Sequence, residues 1–230
     1  VLRPLAILLA AMQLSRPEIP KAEGLKYAEA LNHLAQESRI DPLLAVAIVH
    51  FESRWYPNRV SEDGEDYGLG QVRARYLAAC RDEEDPVLAP GESCAAAKAT
   101  LLDGLTNLRR MSSIIQANKA FCKGKVGSDG DPYWLAGYQG YNLPERQQWC
   151  KPGEKTQQVL EYHASLVERF FPKKKVMAKA TPGKAKGAGK GAPPAKESPV
   201  KNAPSKAPAE KEPAGKGTPG KAAAPGKRAR

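Results

Sequence analysis

The stretch Asp41-Pro42-Leu43-Leu44-Ala45-Val46-Ala47-Ile48-Val49-His50-Phe51-Glu52-Ser53 decides how this chain is read. Asp is a strong N-cap because its carboxylate accepts an otherwise unpaired amide proton, and Pro is tolerated in a first helical turn. From Leu43 to Val49 every residue is apolar, which predicts a helix buried on all sides rather than one lying on a surface. Glu52 closes that helix. The helix dipole disfavours a carboxylate at the carbonyl end. Partial burial acts in the same direction, so its proton should be held above the ordinary carboxylate range.

Outward from this helix the pattern stays helical. Leu25, Ala28, Leu31, Leu34 and Ala35 recur at helical spacing between Leu25 and Ile40. Arg54 to Gly70, with Pro57, Asn58, Gly64 and Gly68, reads as loop. Gln71–Cys80 predicts a short helix, and Arg81–Glu92, rich in Pro and acids, a loop. Ala95–Ala120 predicts one long helix with Leu101, Leu105, Leu108, Met111, Ile114 and Ile115 on one stripe. A Gly-rich loop over Cys122–Pro132 precedes a short helix, Tyr133–Tyr141. A last helix opens at Gly153-Glu154 and runs through Val159, Tyr162 and Leu166 to Phe171, where Pro172 stops it. No stretch alternates as a strand would. The predicted domain is mainly α.

Composition divides the chain. From Pro172 to Arg230 there is no aromatic residue, and 16 Lys and Arg stand against three acids, Glu197, Glu210 and Glu212. Taking that +13 from the whole chain's +11 leaves −2 for residues 1–171. A Lys/Ala/Pro/Gly segment of this kind buries too little apolar surface to offset its chain entropy, so 172–230 is predicted to be a disordered tail. Residues 19–171 suffice for one core.

At the other end, Leu5 to Met12 is an apolar run after Arg3, well short of the ~20 residues that span a bilayer. It fits a secretory leader over 1–18, although no small-x-small cleavage site follows. A buried N-terminal helix is the alternative.

Cys80, Cys94, Cys122 and Cys150 include no C-x-x-C pair and have no nearby His, which argues against zinc. Pairing Cys80 with Cys94 and Cys122 with Cys150 closes the shortest loops, each worth roughly 3 kcal/mol in the chain-entropy model. Two disulfides and a leader together predict export to the periplasm or cell envelope; four reduced thiols would point to the cytosol instead.

Glu52 also carries the chemistry. Cleaving a glycosidic bond at neutral pH needs a carboxyl that still holds its proton, and Glu52, between an apolar helix and Trp55-Tyr56, is the one acid with that setting. A second carboxylate is usual in glycosidases. Its candidates here are Glu62, Asp63, Glu65 and Asp66, all read as solvated loop residues. His33, His50 and His163 are far apart and form no His-Glu-x-x-His pattern, and Asp129-Gly130-Asp131 is too short for a calcium loop. No metal or cofactor is expected.

Read in order, Glu52-Ser53, Tyr67-Gly68-Leu69-Gly70-Gln71 and Ala136-Gly137-Tyr138-Gln139-Gly140 resemble the catalytic domain of the soluble lytic transglycosylases, lysozyme-like enzymes that cut peptidoglycan. The resemblance covers about Ile40 to Tyr141. It implies a lysozyme-like fold and non-hydrolytic cleavage of the β-1,4 bond between N-acetylmuramic acid and N-acetylglucosamine, leaving 1,6-anhydro ends.

Carried over residue by residue, Glu52 takes the acid/base role. Ser53, Ser61, Tyr67, Gly68, Gln71, Tyr138 and Gln139 fall at substrate-side positions, with Ser53 expected to orient the acid. Asn107-Leu108 resembles the Asn-Ile pair of a later motif. Three positions depart from the pattern: Gly70 where Met is common, Met111 where Gly is expected, and Gln139 in place of Asn.

The expected partner is the peptidoglycan glycan strand, met by a monomer. For the basic tail, anionic wall polymers, lipopolysaccharide or a membrane surface fit better than nucleic acid, since it lacks aromatics for base stacking. Two other readings remain open. One is a hydrolytic lysozyme drawing on the 62–66 acids; the other is a non-catalytic wall- or nucleic-acid-binding protein working through its tail.

Overall fold

The computed structural model describes residues 2–140, 142 and 147–172. The predicted 172–230 tail lies, beyond Pro172, outside the described residues. Asp41 caps α3 (Pro42–Glu52) by accepting from the Leu43 amide at 3.0 Å, and every residue from Pro42 to Val49 is buried. The other elements wrap around this helix. α2 (Lys21–Ser38) buries Tyr27, Ala28, Leu31, Leu34 and Ala35, and Arg39, in the left-handed region at φ 53°, turns the chain from it into α3. α7 (Glu154–Phe170) packs along α3, while α5 (Gly104–Val126) packs along α2 and α6 (Asp131–Tyr138) rests on α5.

Two boundaries differ from the sequence expectation. Ala95–Ala120 is not one helix: α4 (Glu92–Thr100) ends and Asp103 starts α5 afresh, accepting from the Thr106 amide at 2.8 Å. The apolar stripe runs across the break because Leu101 turns into a small separate cluster with Val72 and Ala74. α5 then continues to Val126 through the segment expected to be a Gly-rich loop, and ends on Gly127 at φ 74°.

The expected short helix over Gln71–Cys80 is likewise replaced. Asp66–Tyr67 (β1) and Val72–Arg73 (β2) form a two-stranded antiparallel hairpin, Asp66 opposite Arg73 and Tyr67 opposite Val72. A single 3-10 turn, Ala74–Tyr76, follows. Strands of two residues are too short to show any alternation.

The apolar run at the N-terminus is a packed helix. α1 (Leu5–Gln13) places Leu8, Ala11 and Met12 at 0% exposure in the main core. Arg3 lies across Asp41, the α3 cap, with its Nε 3.1 Å from Oδ1, and its guanidinium covers the Phe171 ring at 4.1 Å. The segment expected as a leader over 1–18 is thus packed as a helix in this structure, and hydrophobicity marks a leader and a core helix alike.

The two expected disulfides are present, Cys80–Cys94 and Cys122–Cys150. They suit an oxidising, extracytoplasmic environment. No helix among the described residues is long and apolar enough to cross a membrane. The described residues belong to one compact unit, Val1–Met177.

Burying side chains such as Leu8 and Met12 contributes roughly 1.5–3 kcal/mol each. A chain beginning at Ile19 is therefore expected to lose about 5 kcal/mol or more, a large share of a typical domain's stability. Urea unfolding of the two chains measures this, and equal midpoints would show α1 to be dispensable.

Candidate functional site

Glu52 ends α3 where the backbone turns sharply. Arg54 and Trp55, neither a glycine, both sit in the left-handed region at φ 56° and 67°. Such conformations cost about 1–3 kcal/mol each and persist only where surrounding contacts over-determine them. Those contacts are visible: the Trp55 side chain is wholly buried, its ring centroid 6.0 Å from that of Tyr27, and Arg16 Nη1 donates to its carbonyl at 3.0 Å. Trp55 is thus a core residue that sets the exit from α3, and it leaves Glu52 half-buried beside the hairpin.

Burial pushes the Glu52 carboxyl up to about 7, and the negative charge of Asp66 adds to the shift. Lys155 at the start of α7 and Arg59 in the loop oppose it. Half of a population of such groups holds a proton at neutral pH, which an ordinary carboxylate does not.

The loop after β1 is fixed by α5 and α6. Asn107, wholly buried, donates from Nδ2 to the Tyr67 carbonyl at 2.7 Å and the Leu101 carbonyl at 2.8 Å, and its Oδ1 accepts from the Gly70 amide at 2.7 Å. Tyr138 donates its hydroxyl to the Gly70 carbonyl at 2.5 Å. Gly68 has φ 75°, and a Cβ there would lie 2.2 Å from the Leu101 carbonyl oxygen, so no other residue fits. The Tyr138 phenol is pushed well above its ordinary value by burial and by the charges of Glu52 and Asp66. It stays a neutral hydrogen-bond donor, close enough to both carboxylates to feel them.

The predicted site residues divide into two sets. Tyr67, Gly68, Gln71 and Tyr138 meet at this loop, and Glu52 is close enough to Tyr138 for its charge to act on the phenol. Gln71, at φ 47°, donates its side-chain amide to the Gly68 carbonyl at 3.0 Å and the Arg59 carbonyl at 3.3 Å, so its nitrogen braces the turn.

The other three do local structural work. Ser53 is wholly buried and bonds back to the Val49 carbonyl at 3.4 Å rather than to Glu52, as a residue capping a helix end can follow its own backbone inward. Ser61 closes the turn before β1, its Oγ accepting from the Asp66 amide at 2.9 Å and donating to Asp63 at 2.5 Å. Gln139 accepts from the hydroxyl of buried Thr156 at 2.7 Å, tying α6 to the start of α7. These placements share one cause. A motif records which residue occurs at a position, whereas a hydrogen-bond partner is chosen by the fold.

Asp66 needs correcting in the other direction. It is not a solvated loop acid: Arg73, its partner across the hairpin, donates from Nε to Oδ1 at 3.1 Å and from Nη2 to Oδ2 at 3.3 Å. Glu65 pairs with Arg73 and Arg75. Alternating charge seven residues apart in a loop gives no signal until the hairpin register is known. Lys155 was hidden for the same reason, as it reaches Glu52 from the start of α7, and Arg59 because only the course of its loop aims it back.

His50, two residues before Glu52, stacks on Tyr162 with ring centroids 4.1 Å apart and shares a hydrogen bond with Ser15 Oγ at 2.6 Å. Burial, then the Arg54 charge, hold it down to about 4, so it is neutral at pH 7. Two surface grooves, one between α2 and α5 and one beside α7, do not include Glu52. Among the described residues no group of three or more His, Cys, Asp or Glu is placed to hold a metal ion.

Comparison with family models, with characterised proteins and with solved structures returned no match to this chain.

A carboxyl that binds its proton more tightly folded than unfolded adds stability below its unfolded value, near 4.5, and that stability is lost as pH rises through about 7. Replacing Glu52 by Gln removes the penalty. The variant should be more stable than the parent by about 1–2 kcal/mol above pH 7, after allowing for partial solvent access, with the gap closing below pH 5. Parallel curves of melting temperature against pH would show that Glu52 is not held in this state.

Proposed function

We propose that this chain is a lysozyme-like lytic transglycosylase that cleaves the β-1,4 bond between N-acetylmuramic acid and N-acetylglucosamine in peptidoglycan without consuming water. One observation carries the reading: a single carboxyl, pushed up to about 7, ends a buried helix beside a loop clamped by Asn107 and Tyr138. Glu52 donates its proton to the glycosidic oxygen, and N-acetylglucosamine leaves with a free 4-hydroxyl. The muramic acid's own N-acetyl oxygen supports C1 as that bond breaks. The Glu52 carboxylate then takes the proton of the C6 hydroxyl, whose oxygen attacks C1 and closes the 1,6-anhydro ring. Glu52 ends protonated, so the cycle balances with no second acid or base.

Hydrolysis is the second reading, because Asp66 is a carboxylate close enough to raise Glu52. Against it, both Asp66 oxygens are engaged by the Arg73 guanidinium, which leaves little room to activate a water. The transglycosylase reading needs no such base. Support also comes from two of the departures, Gly70 in the loop and Met111 on α5, which lie against each other in the structure. The disulfides fit action in the periplasm or cell envelope. The 16 Lys and Arg beyond Pro172 would concentrate the enzyme on anionic wall or membrane surfaces.

Digestion of purified peptidoglycan should release fragments one water lighter than reducing-end products, and Glu52→Gln should lower turnover by at least about a thousandfold. Fragments with reducing ends would establish hydrolysis, and undiminished turnover by the variant would remove Glu52 from the mechanism. Truncation after Pro172 should leave cleavage of soluble strands unchanged and weaken binding to whole sacculi at low salt, an effect that salt abolishes in the full chain. Salt-independent binding would rule out the electrostatic tether.

A further inference from the structure

Three neighbours converge on Gly70, the residue at which the loop beside Glu52 meets the helices. Asn107 holds its amide at 2.7 Å and Tyr138 holds its carbonyl at 2.5 Å. The third is Met111, one turn beyond Asn107 on the same face of α5 and wholly buried. A Cβ built on Gly70 would lie 2.9 Å from Tyr138 Oη, 3.1 Å from Met111 Sδ and 3.3 Å from Met111 Cβ. Gly70 is not among the residues with positive φ. Its backbone would accept a side chain; only its neighbours exclude one. In the pattern this chain resembles, the large residue stands at position 70 and the small one at 111. Here the two have changed places, and the volume stays filled from the opposite side.

We propose that Met111 is a positioning residue for the Glu52 site: its thioether, supplied from α5, fills the space that a loop side chain would otherwise take and so keeps Gly70, Gln71 and the Tyr138 hydroxyl in register beside Glu52. The proposal rests on the reading of Glu52 as the working acid. Met111 touches no reacting atom and acts through Gly70. An unbranched thioether suits the task because it packs against an irregular backbone surface. Around the Glu52 carboxyl itself stand Asp66 from the hairpin, Arg59 from the loop, Tyr138 from α6 and Lys155 from α7. The first two lie in the segment that Gly70 anchors, and Tyr138 bonds to Gly70 itself.

The test is an exchange cycle: Gly70→Met, Met111→Gly and the double variant, with Met111→Leu as the volume-conserving control. Carbon NMR of the Glu52 carboxyl reports its titration, and kcat and KM are measured on glycan strands. Each single change should move the Glu52 midpoint down from about 7 as the loop loosens and water enters. Each should also lower kcat by about tenfold or more with little change in KM, the signature of misplacement rather than lost binding. The double variant should recover both, and Met111→Leu should retain both. A single variant that fails to fold while the double folds supports the coupling equally.

Losses in the double that equal the sum of the single losses, a double that does not fold, or a Glu52 midpoint unmoved throughout would overturn the proposal. An inactive parent chain would retire the transglycosylase reading alone. The NMR cycle would still decide the role of Met111.

Discussion

Asn107 is the side chain on which the site depends. Its carboxamide lies fully inside the protein and serves three backbone groups, the carbonyls of Tyr67 and Leu101 and the amide of Gly70. Loops seldom enter a core, because their amides and carbonyls find no partners there. Asn107 supplies those partners from a helix, so the chain between Tyr67 and Gly70 lies against α5 with its polar groups satisfied. Only one register of the loop satisfies all three bonds. That register also brings the Gly70 carbonyl to Tyr138 and leaves the Gly68 Cα against the Leu101 carbonyl. The hairpin follows from it, as do the positions of Asp66 and Arg73 at its open end.

Against this fixed wall stands a carboxyl held in an unfavourable state. Glu52 sits at the carbonyl end of a helix whose body has no solvent contact, near one acid and two bases of opposing effect. Burial is the largest influence on its proton affinity, ahead of any of these charges. Strained backbone at Arg54 and Trp55 lies immediately beyond it and is maintained by the packing of Trp55 under α2. Strain and desolvation at one place reduce stability, and both are sustained by the large apolar core around α3 and α1. α1 therefore matters to the site without touching it.

Much of this was legible from local pattern. The helix 42–52, its Asp41 cap, the acid at its end and the disulfide pairs all depend on short-range rules that act within a turn or a closed loop. The failures were of a different kind. Leu101 fits a helical stripe yet belongs to a break, because periodicity cannot see that its partner is Val72 rather than the next turn. Ser53 and Gln139 match motif positions, but their hydrogen bonds go to Val49 and Thr156. Asp66 looks like one loop acid among four until the hairpin sets it opposite Arg73.

The sequence by itself determined the helical class, the buried central helix and the one carboxyl with a reason to keep its proton, since each depends on side-chain character and on neighbours a few residues away. Tertiary structure alone decided what surrounds that carboxyl. Asp66, Arg59, Lys155 and Tyr138 arrive from four separate segments, and Met111 takes a volume left open at Gly70. Such meetings are set by packing among distant parts of the chain, where volume and charge are shared across segments, and no local pattern records them.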